Sequence, residues 1–453
     1  MHAPGAPLAL PPATQPSDAV LQPVSAWGRL SQAPHRLLPQ HDRSQLVLGT
    51  AGDGPALPFG NGRSYGDVCL NPGGRLWTTR TLDRFMAFDT ATGVIECEAG
   101  VLLDEIIRVA LPRGWFLPVT PGTRFATLGG AIANDVHGKN HHRAGTLGEH
   151  VLALQLARSD GSRIDCSPTQ QAQWLAATVG GLGLTGLIVS AKLQLTAVPG
   201  PWLQTETLPF QSLGDFFRLS RESEAGWAYT VAWVDCVHAA AQETRGILFR
   251  ANHADHAGTA PPAASHAVPM TPPFSLVNRL SLRAFNSLYF QRQRRRRGMH
   301  WQSVLPFFYP LDNLRDWNRI YGPAGFFQYQ CVVPQAVQAD ATAALLQAIR
   351  ASGQGSFLAV LKTFGDRPAA GLLSFPMAGT TLALDFPNEG ARTEHLFERL
   401  DAIVSAAGGR LYPAKDARMS RRLFEQGYPG LQAFLRFRDP AVSSAMPRRL
   451  TGQ

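Results

Sequence analysis

Apolar and polar side chains alternate through Val94-Ile95-Glu96-Cys97-Glu98-Ala99-Gly100, which predicts a half-buried strand. The strand runs into Leu102-Leu103-Asp104-Glu105-Ile106-Ile107-Arg108-Val109, where apolar positions recur at helical spacing. Residues 154–165 read as a hairpin with Asp160-Gly161 at the turn. Short segments of both kinds, separated by many glycines, alternate from about 36 to 195, as expected of an α+β lobe.

After Pro199-Gly200-Pro201 the alternating segments lengthen, as in Phe327-Gln328-Tyr329-Gln330-Cys331-Val332-Val333 and Thr381-Leu382-Ala383-Leu384-Asp385-Phe386. Helical patterns over 336–351 and 393–407 are interspersed with them, which predicts a second α+β lobe built on an antiparallel sheet. One insertion stands apart. Residues 253–273 are rich in His, Ala and Pro and are expected to be mobile. In the following 274–290 segment Val277, Leu280, Ala284 and Leu288 share a helical face, and Arg292-Gln293-Arg294-Arg295-Arg296-Arg297 comes next. This combination reads either as an anchor on anionic lipid headgroups or as a surface loop with a solvated charge run.

A chain of 453 residues calls for two or three domains. It contains no apolar run of the roughly 18 residues a spanning helix needs. Residues 1–23 are Ala- and Pro-rich with no basic segment before an apolar block, so they read as a disordered leader and imply a cytoplasmic protein. The net charge is +9, but only four residues are lysine (Lys139, Lys192, Lys362, Lys415) and the other 38 basic residues are arginine. No nucleic-acid-binding signature accompanies that charge, which leaves phosphate or a membrane surface as its partner. Five cysteines without close spacing (Cys69, Cys97, Cys166, Cys236, Cys331) suggest free thiols rather than a disulfide framework or a metal cluster.

Four segments carry candidate chemistry. Gly60-Asn61-Gly62-Arg63-Ser64-Tyr65-Gly66 has the closely spaced glycines of an anion-binding nest, or simply of a turn, and matches neither the Rossmann nor the P-loop pattern. In the second, running from Pro121-Gly122-Thr123 to Val136-His137-Gly138-Lys139-Asn140-His141-His142, small residues give way to titratable ones. Its histidines lack the spacing of a known metal site. Thr178-Val179-Gly180-Gly181-Leu182-Gly183-Leu184-Thr185-Gly186 allows close backbone approach to a flat cofactor, or a tight turn into a strand. Gly408-Gly409-Arg410-Leu411-Tyr412-Pro413-Ala414-Lys415-Asp416 ends in a lysine that could serve as a proton acceptor or lie on the surface.

In this order the four segments resemble the vanillyl-alcohol-oxidase-type FAD-binding oxidoreductase family. The resemblance spans nearly the whole chain from about residue 36 and includes Ala232-Trp233, Gln328-Tyr329-Gln330 and Asp385-Phe386-Pro387. It implies a two-lobed α+β fold, with an FAD-binding domain over 24–197 completed by 412–453. A substrate domain over 198–411 would carry a mobile basic insertion at 253–303. The family match places FAD against Gly60, Asn61, Gly62, Arg63, Ser64 and Tyr65, then Gly122, Thr127, Gly129, Gly130, Asn134, His137, Ile188 and Tyr412. Arg63 stands where covalent members carry a flavin-linking histidine, which implies non-covalent FAD.

The resemblance further implies Lys415, Tyr65 and His137 as catalytic residues, with Lys139, Gln328, Gln330, Lys362, Trp233 and Ala383 around the substrate. Family members commonly have Cys at the Ala383 position and Tyr at the Phe308 position. The implied reaction oxidises the C2′ hydroxyl of a polyprenylphosphoryl ribose to the 2′-keto sugar. That would be the first half of a ribose-to-arabinose epimerisation for cell-envelope glycans, completed by an NAD(P)H-dependent short-chain keto-reductase. Peripheral contact with the inner membrane face would suit such a substrate. The alternatives are a soluble aldonolactone or alditol oxidase and a non-catalytic flavin-binding scaffold.

Overall fold

The computed structural model describes residues 21–49, 51–238, 244–258 and 265–452. Among these residues three larger sheets organise a mixed α+β fold of two lobes. The first lobe holds a four-stranded sheet, in the order Leu21–Val24, Ala33–Pro39, Arg75–Thr78 and Ala56–Phe59. Beside it lies a five-stranded antiparallel sheet, in the order Phe85–Asp89, Val94–Glu98, Leu187–Gln194, Val151–Ala157 and Arg163–Cys166. The alternating segment at 94 is a strand whose inward Ile95 and Cys97 are fully buried. It is followed by the helix Leu103–Ala110, and the 154–165 hairpin closes through Gly161 at φ +84°. The C-terminal segment returns to this lobe. Ser443 N donates to Ala56 O at 2.9 Å, and Asp439 accepts from the backbone N and hydroxyl of Ser159.

The second lobe is an eight-stranded antiparallel sheet. Its order is Gly298–Ser303, Trp202–Phe210, Gly246–His253, Tyr229–Val234, Ala359–Phe364, Gly379–Pro387, Phe326–Pro334 and Arg410–Leu411. Side chains on a strand alternate between the faces, so the sheet has two distinct surfaces. Tyr329, Cys331, Leu361, Leu382 and Leu384 pack into one core with Phe216, Leu345 and Leu400, contributed by the helices Leu213–Glu224, Gln338–Ser352 and Ala391–Ala406. The opposite parity, including Gln328, Gln330, Lys362, Thr381 and Ala383, faces the first lobe across a cavity.

Two expectations from the sequence need correction. The leader was expected to extend through residue 23, but Leu21–Val24 is a strand paired in register with Ala33–Arg36. The 1–20 part of that expectation lies outside the described residues. The 253–303 insertion was expected to be mobile, yet it contains the helix Arg279–Arg295 and the strand Gly298–Ser303, which extends the large sheet, while its 259–264 part lies outside the described residues. The backbone of that strand is satisfied by pairing with Trp202–Thr207, a partner far away in sequence. Within the helix, Leu282, Asn286 and Phe290 are buried, and Val277 is buried ahead of it. Leu280 and Leu288 instead point outward, 79% and 71% exposed.

The lobes meet where Gly66 passes under the C-terminal return. Tyr65 N donates to Ala414 O at 3.1 Å, and a Cβ on Gly66 would lie 1.7 Å from the Asp416 carbonyl oxygen. Backbone cannot yield to such a clash as a flexible side chain can. Gly66→Ala should therefore cost about 3 kcal/mol of stability and lower the melting temperature with FAD present, as measured by thermal unfolding. A melting curve superimposable on wild type would contradict this tight crossing.

Candidate active site

A cavity of about 700 Å³ lies between the lobes, and the residues that the family resemblance assigned to cofactor, substrate or catalysis all line it. One limb is walled by backbone. Gly122 and Gly183 have open space where a Cβ would stand, whereas a Cβ on Gly60 would lie 2.4 Å from Thr127 Oγ1 and one on Gly129 2.8 Å from the Ala99 Cβ. The glycines thus bring two loops and the helix Leu128–Ala133 close together while keeping their cavity side bare. Thr127 caps that helix, its hydroxyl accepting from Gly130 N at 3.2 Å. Asn61 donates to Phe125 O at 2.8 Å, and the Arg63 guanidinium lies 4.2 Å from the Trp27 ring centroid. Buried Arg63 Nε and Asn134 Oδ1 have no hydrogen-bond partner among the described residues.

A bare glycine wall with unsatisfied polar atoms at its rim fits a flat ring and a pyrophosphate, which are the two ends of FAD. Gly60 to Ser64 and Thr127 to Asn134 would hold it. Tyr412, whose hydroxyl donates to Asn134 O at 2.8 Å, would close the ring end.

The other limb is lined by side chains from the large sheet. His137 sits at the junction, with Nε2 at 2.9 Å from the Gln330 amide nitrogen and Nδ1 at 3.2 Å from Lys362 Nζ. Burial first, and then the positive charge of Lys362, hold its pKa well below the usual histidine value, so the ring is neutral. Lys362 also donates to Gly138 O at 3.2 Å, and burial lowers its pKa to about 7, with Lys415 adding to the effect. Lys139 donates to Phe307 O and lies 4.4 Å from the Phe307 ring centroid. Burial followed by the charge of Lys362 brings it to about 7 as well. Lys415 Nζ is 3.9 Å from the Tyr65 ring centroid. Its pKa is lowered by burial, which the Asp385 carboxylate opposes.

Three of the chain's four lysines therefore face one cavity. The fourth, Lys192, is paired with Glu96 at 3.5 Å. Among the described residues no carboxylate lies within ion-pair distance of the other three.

Asp385 is the functional residue that the sequence reading left without a role. It is 1% exposed and accepts from Gln328 Nε2 at 2.6 Å, while the Gln328 side chain also hydrogen-bonds Tyr65. Burial raises its carboxyl pKa, and Gln328 and then Lys415 oppose that rise. The signal was present in the strand alternation, which puts Asp385 on the same inward face as Thr381 and Ala383. Tyr65 keeps its proton, because burial, reinforced by Asp385, raises the phenol pKa well above 10. Gly183 and Gly186 of the third motif also line the cofactor limb.

A family model described as an FAD binding domain matches residues 46–167. Decaprenylphosphoryl-β-D-ribose oxidase of Mycolicibacterium smegmatis is 35% identical over 94% of this chain and 97% of its own length. The chain belongs to the decaprenylphosphoryl-β-D-ribose oxidase family. An uncharacterised Streptomyces coelicolor protein from the mprA 5′ region is 33% identical over 77% of this chain and its own full length. Bovine L-gulonolactone oxidase is 30% identical over only 37% of each chain. This member of the oxidase family is an FAD-dependent oxidoreductase, and its glycine-walled limb lies largely within the matched FAD-binding domain.

Of the titratable groups around Lys415, the Asp385 carboxylate is the one whose charge acts on the amine, and it raises its pKa against burial. Removing that negative charge lets the amine lose its proton at lower pH. Asp385→Asn should accordingly move the acid limb of the pH profile for substrate-driven flavin reduction to lower pH, read by stopped-flow absorbance. An unmoved limb would show that Asp385 does not act on Lys415.

Proposed function

We propose that the protein oxidises the C2′ hydroxyl of a polyprenylphosphoryl ribose to the 2′-keto sugar. The observation that carries this reading is the set of three cavity lysines, none ion-paired with a carboxylate among the described residues and only Lys415 within the field of one, Asp385. Buried amines repel one another and lose solvation, so the cavity favours an anionic ligand, and a sugar phosphate supplies the anion next to the hydroxyls to be oxidised. A neutral lactone or polyol would leave Lys139 and Lys362 uncompensated.

Bound FAD supplies the hydride acceptor. Lys415, with its pKa lowered by burial, has a free-amine fraction near neutral pH and takes the hydroxyl proton as the C2′ hydrogen leaves. Arginine could not titrate in this role. Neutral His137, held between Gln330 and Lys362, orients sugar oxygens, and Lys139 and Lys362 bind the phosphate. Gln328 fixes the Tyr65 phenol beneath the Lys415 amine. The keto product then passes to an NAD(P)H-dependent short-chain keto-reductase, which completes an epimerisation to arabinose for cell-envelope glycans.

A lipid-linked substrate brings the enzyme to a bilayer surface. No helix among the described residues is long and apolar enough to cross a membrane. The outer face of Arg279–Arg295 suits peripheral contact instead, with exposed Leu280 and Leu288 along it and the exposed arginine run 294–297 at its C-terminal end.

Anaerobic flavin bleaching tests the substrate. A synthetic prenylphosphoryl ribose should reduce the flavin while free ribose and an aldonolactone do not, and Lys415→Ala should slow the reduction by about 10²–10⁴-fold with FAD still bound. Bleaching by the lactone alone would place the enzyme among the soluble oxidases. Vesicle co-sedimentation tests the surface: the protein should pellet with anionic but not zwitterionic vesicles, and Leu280→Gln with Leu288→Gln should weaken this. Equal recovery with both vesicle types would count against the contact.

A further inference from the structure

The cavity extends beyond what a pentose phosphate needs. Its floor can be followed across the large sheet by strand pairing. Gln330 lies opposite Ala383, Ala383 opposite Val360, and Val360 opposite Trp233. Adjacent strands are about 4.8 Å apart, so three steps carry the floor about 14 Å from the amide beside His137. Polarity falls along that row, from an amide to a methyl group, a branched aliphatic and an indole. The Trp233 N–H is used within the protein, donating to Phe357 O at 2.9 Å, so the ring presents apolar surface to the cavity. Phe249 continues the same wall on the next strand, and Phe307 and Phe308 line the cavity as well.

The helix Arg279–Arg295 roofs this outer limb. Tyr289 and Gln293, one turn apart, line it, and the Tyr289 ring packs edge-on against Trp233 at 4.8 Å. Beyond these residues the lining includes Trp301, 44% exposed, together with the polar side chains of Arg296, His300 and Gln302. Lys139, Lys362 and Lys415 all belong to the inner end. A free sugar phosphate would leave the outer limb unused.

We propose that this outer limb, floored by Trp233 and Phe249 and roofed by Tyr289, is the site for the isoprenoid chain of the substrate. The inference rests on the lipid-linked sugar reading above and adds a specific chain site to it. The apolar limb binds the chain equally before and during the chemical step, so it acts on KM and leaves kcat alone.

The test is a series of ribosyl phosphates esterified with methyl, geranyl or farnesyl groups, assayed on the FAD-loaded enzyme by flavin reduction. In the wild type KM should fall by tenfold or more from methyl to farnesyl at nearly constant kcat. Trp233→Ala should flatten the series, and Tyr289→Ser, on a separate element, should do the same if the first variant fails to fold. A KM independent of chain length, or a series as steep in Tyr289→Ser as in the wild type, would overturn the chain site while leaving the sugar reading intact. Failure of every ester, methyl included, to reduce the flavin would instead remove the sugar reading, and the chain site with it.

Discussion

A buried amine must either give up its charge or meet an anion, and this cavity contains three of them. Lys139, Lys362 and Lys415 lie close enough to depress one another's affinity for protons, with Lys362 acting on Lys139 and Lys415 on Lys362. Burial is the larger cause for each. A cluster of this kind is costly in an empty cavity and becomes favourable once a phosphate arrives. The same pressure that disfavours charge on Lys415 prepares it as a base, so anion binding and proton removal draw on one electrostatic arrangement. Asp385 moderates that arrangement from beneath, being linked through Gln328 to the Tyr65 phenol over which the amine sits.

Strand alternation makes this possible. One face of the large sheet is sealed by three helices, so leucines, tyrosine and cysteine fill it, and the other parity is free to carry amides, lysines and aromatic rings. Because the antiparallel strands stay in register, chemistry set at Gln328 and Gln330 grades into apolar surface at Val360 and Trp233 without a break in the backbone pairing. The first lobe contributes the complementary wall, where glycines bring backbone to the cavity edge. The C-terminal return ties the two together by placing Ala414 and Lys415 over Tyr65.

Local patterns were legible wherever a short window contained the cause. Period-two alternation identified the strands at 94 and 327, helical spacing the helix after residue 102, and Asp-Gly the turn at 160. Motif order brought the cofactor and reaction class into view, because those residues must approach one ligand wherever they lie in the chain. The order of the insertion was not legible, for the opposite reason. Strand Gly298–Ser303 is held by a partner near residue 205, and the buried face of Arg279–Arg295 is set by packing rather than by the stripe of Leu280, Ala284 and Leu288.

The sequence by itself determined the α+β texture, which follows from residue types in local order, and, through the family resemblance of its four motifs, the flavin cofactor. Only the tertiary structure decided that three scattered lysines share one cavity without carboxylate partners and that Asp385 stands behind one of them. It also decided that the cavity continues under a helix from the insertion. Each depends on strands and loops far apart in the chain being brought within a few ångströms, and both the loss of solvation and the repulsion between charges exist only once that enclosure forms.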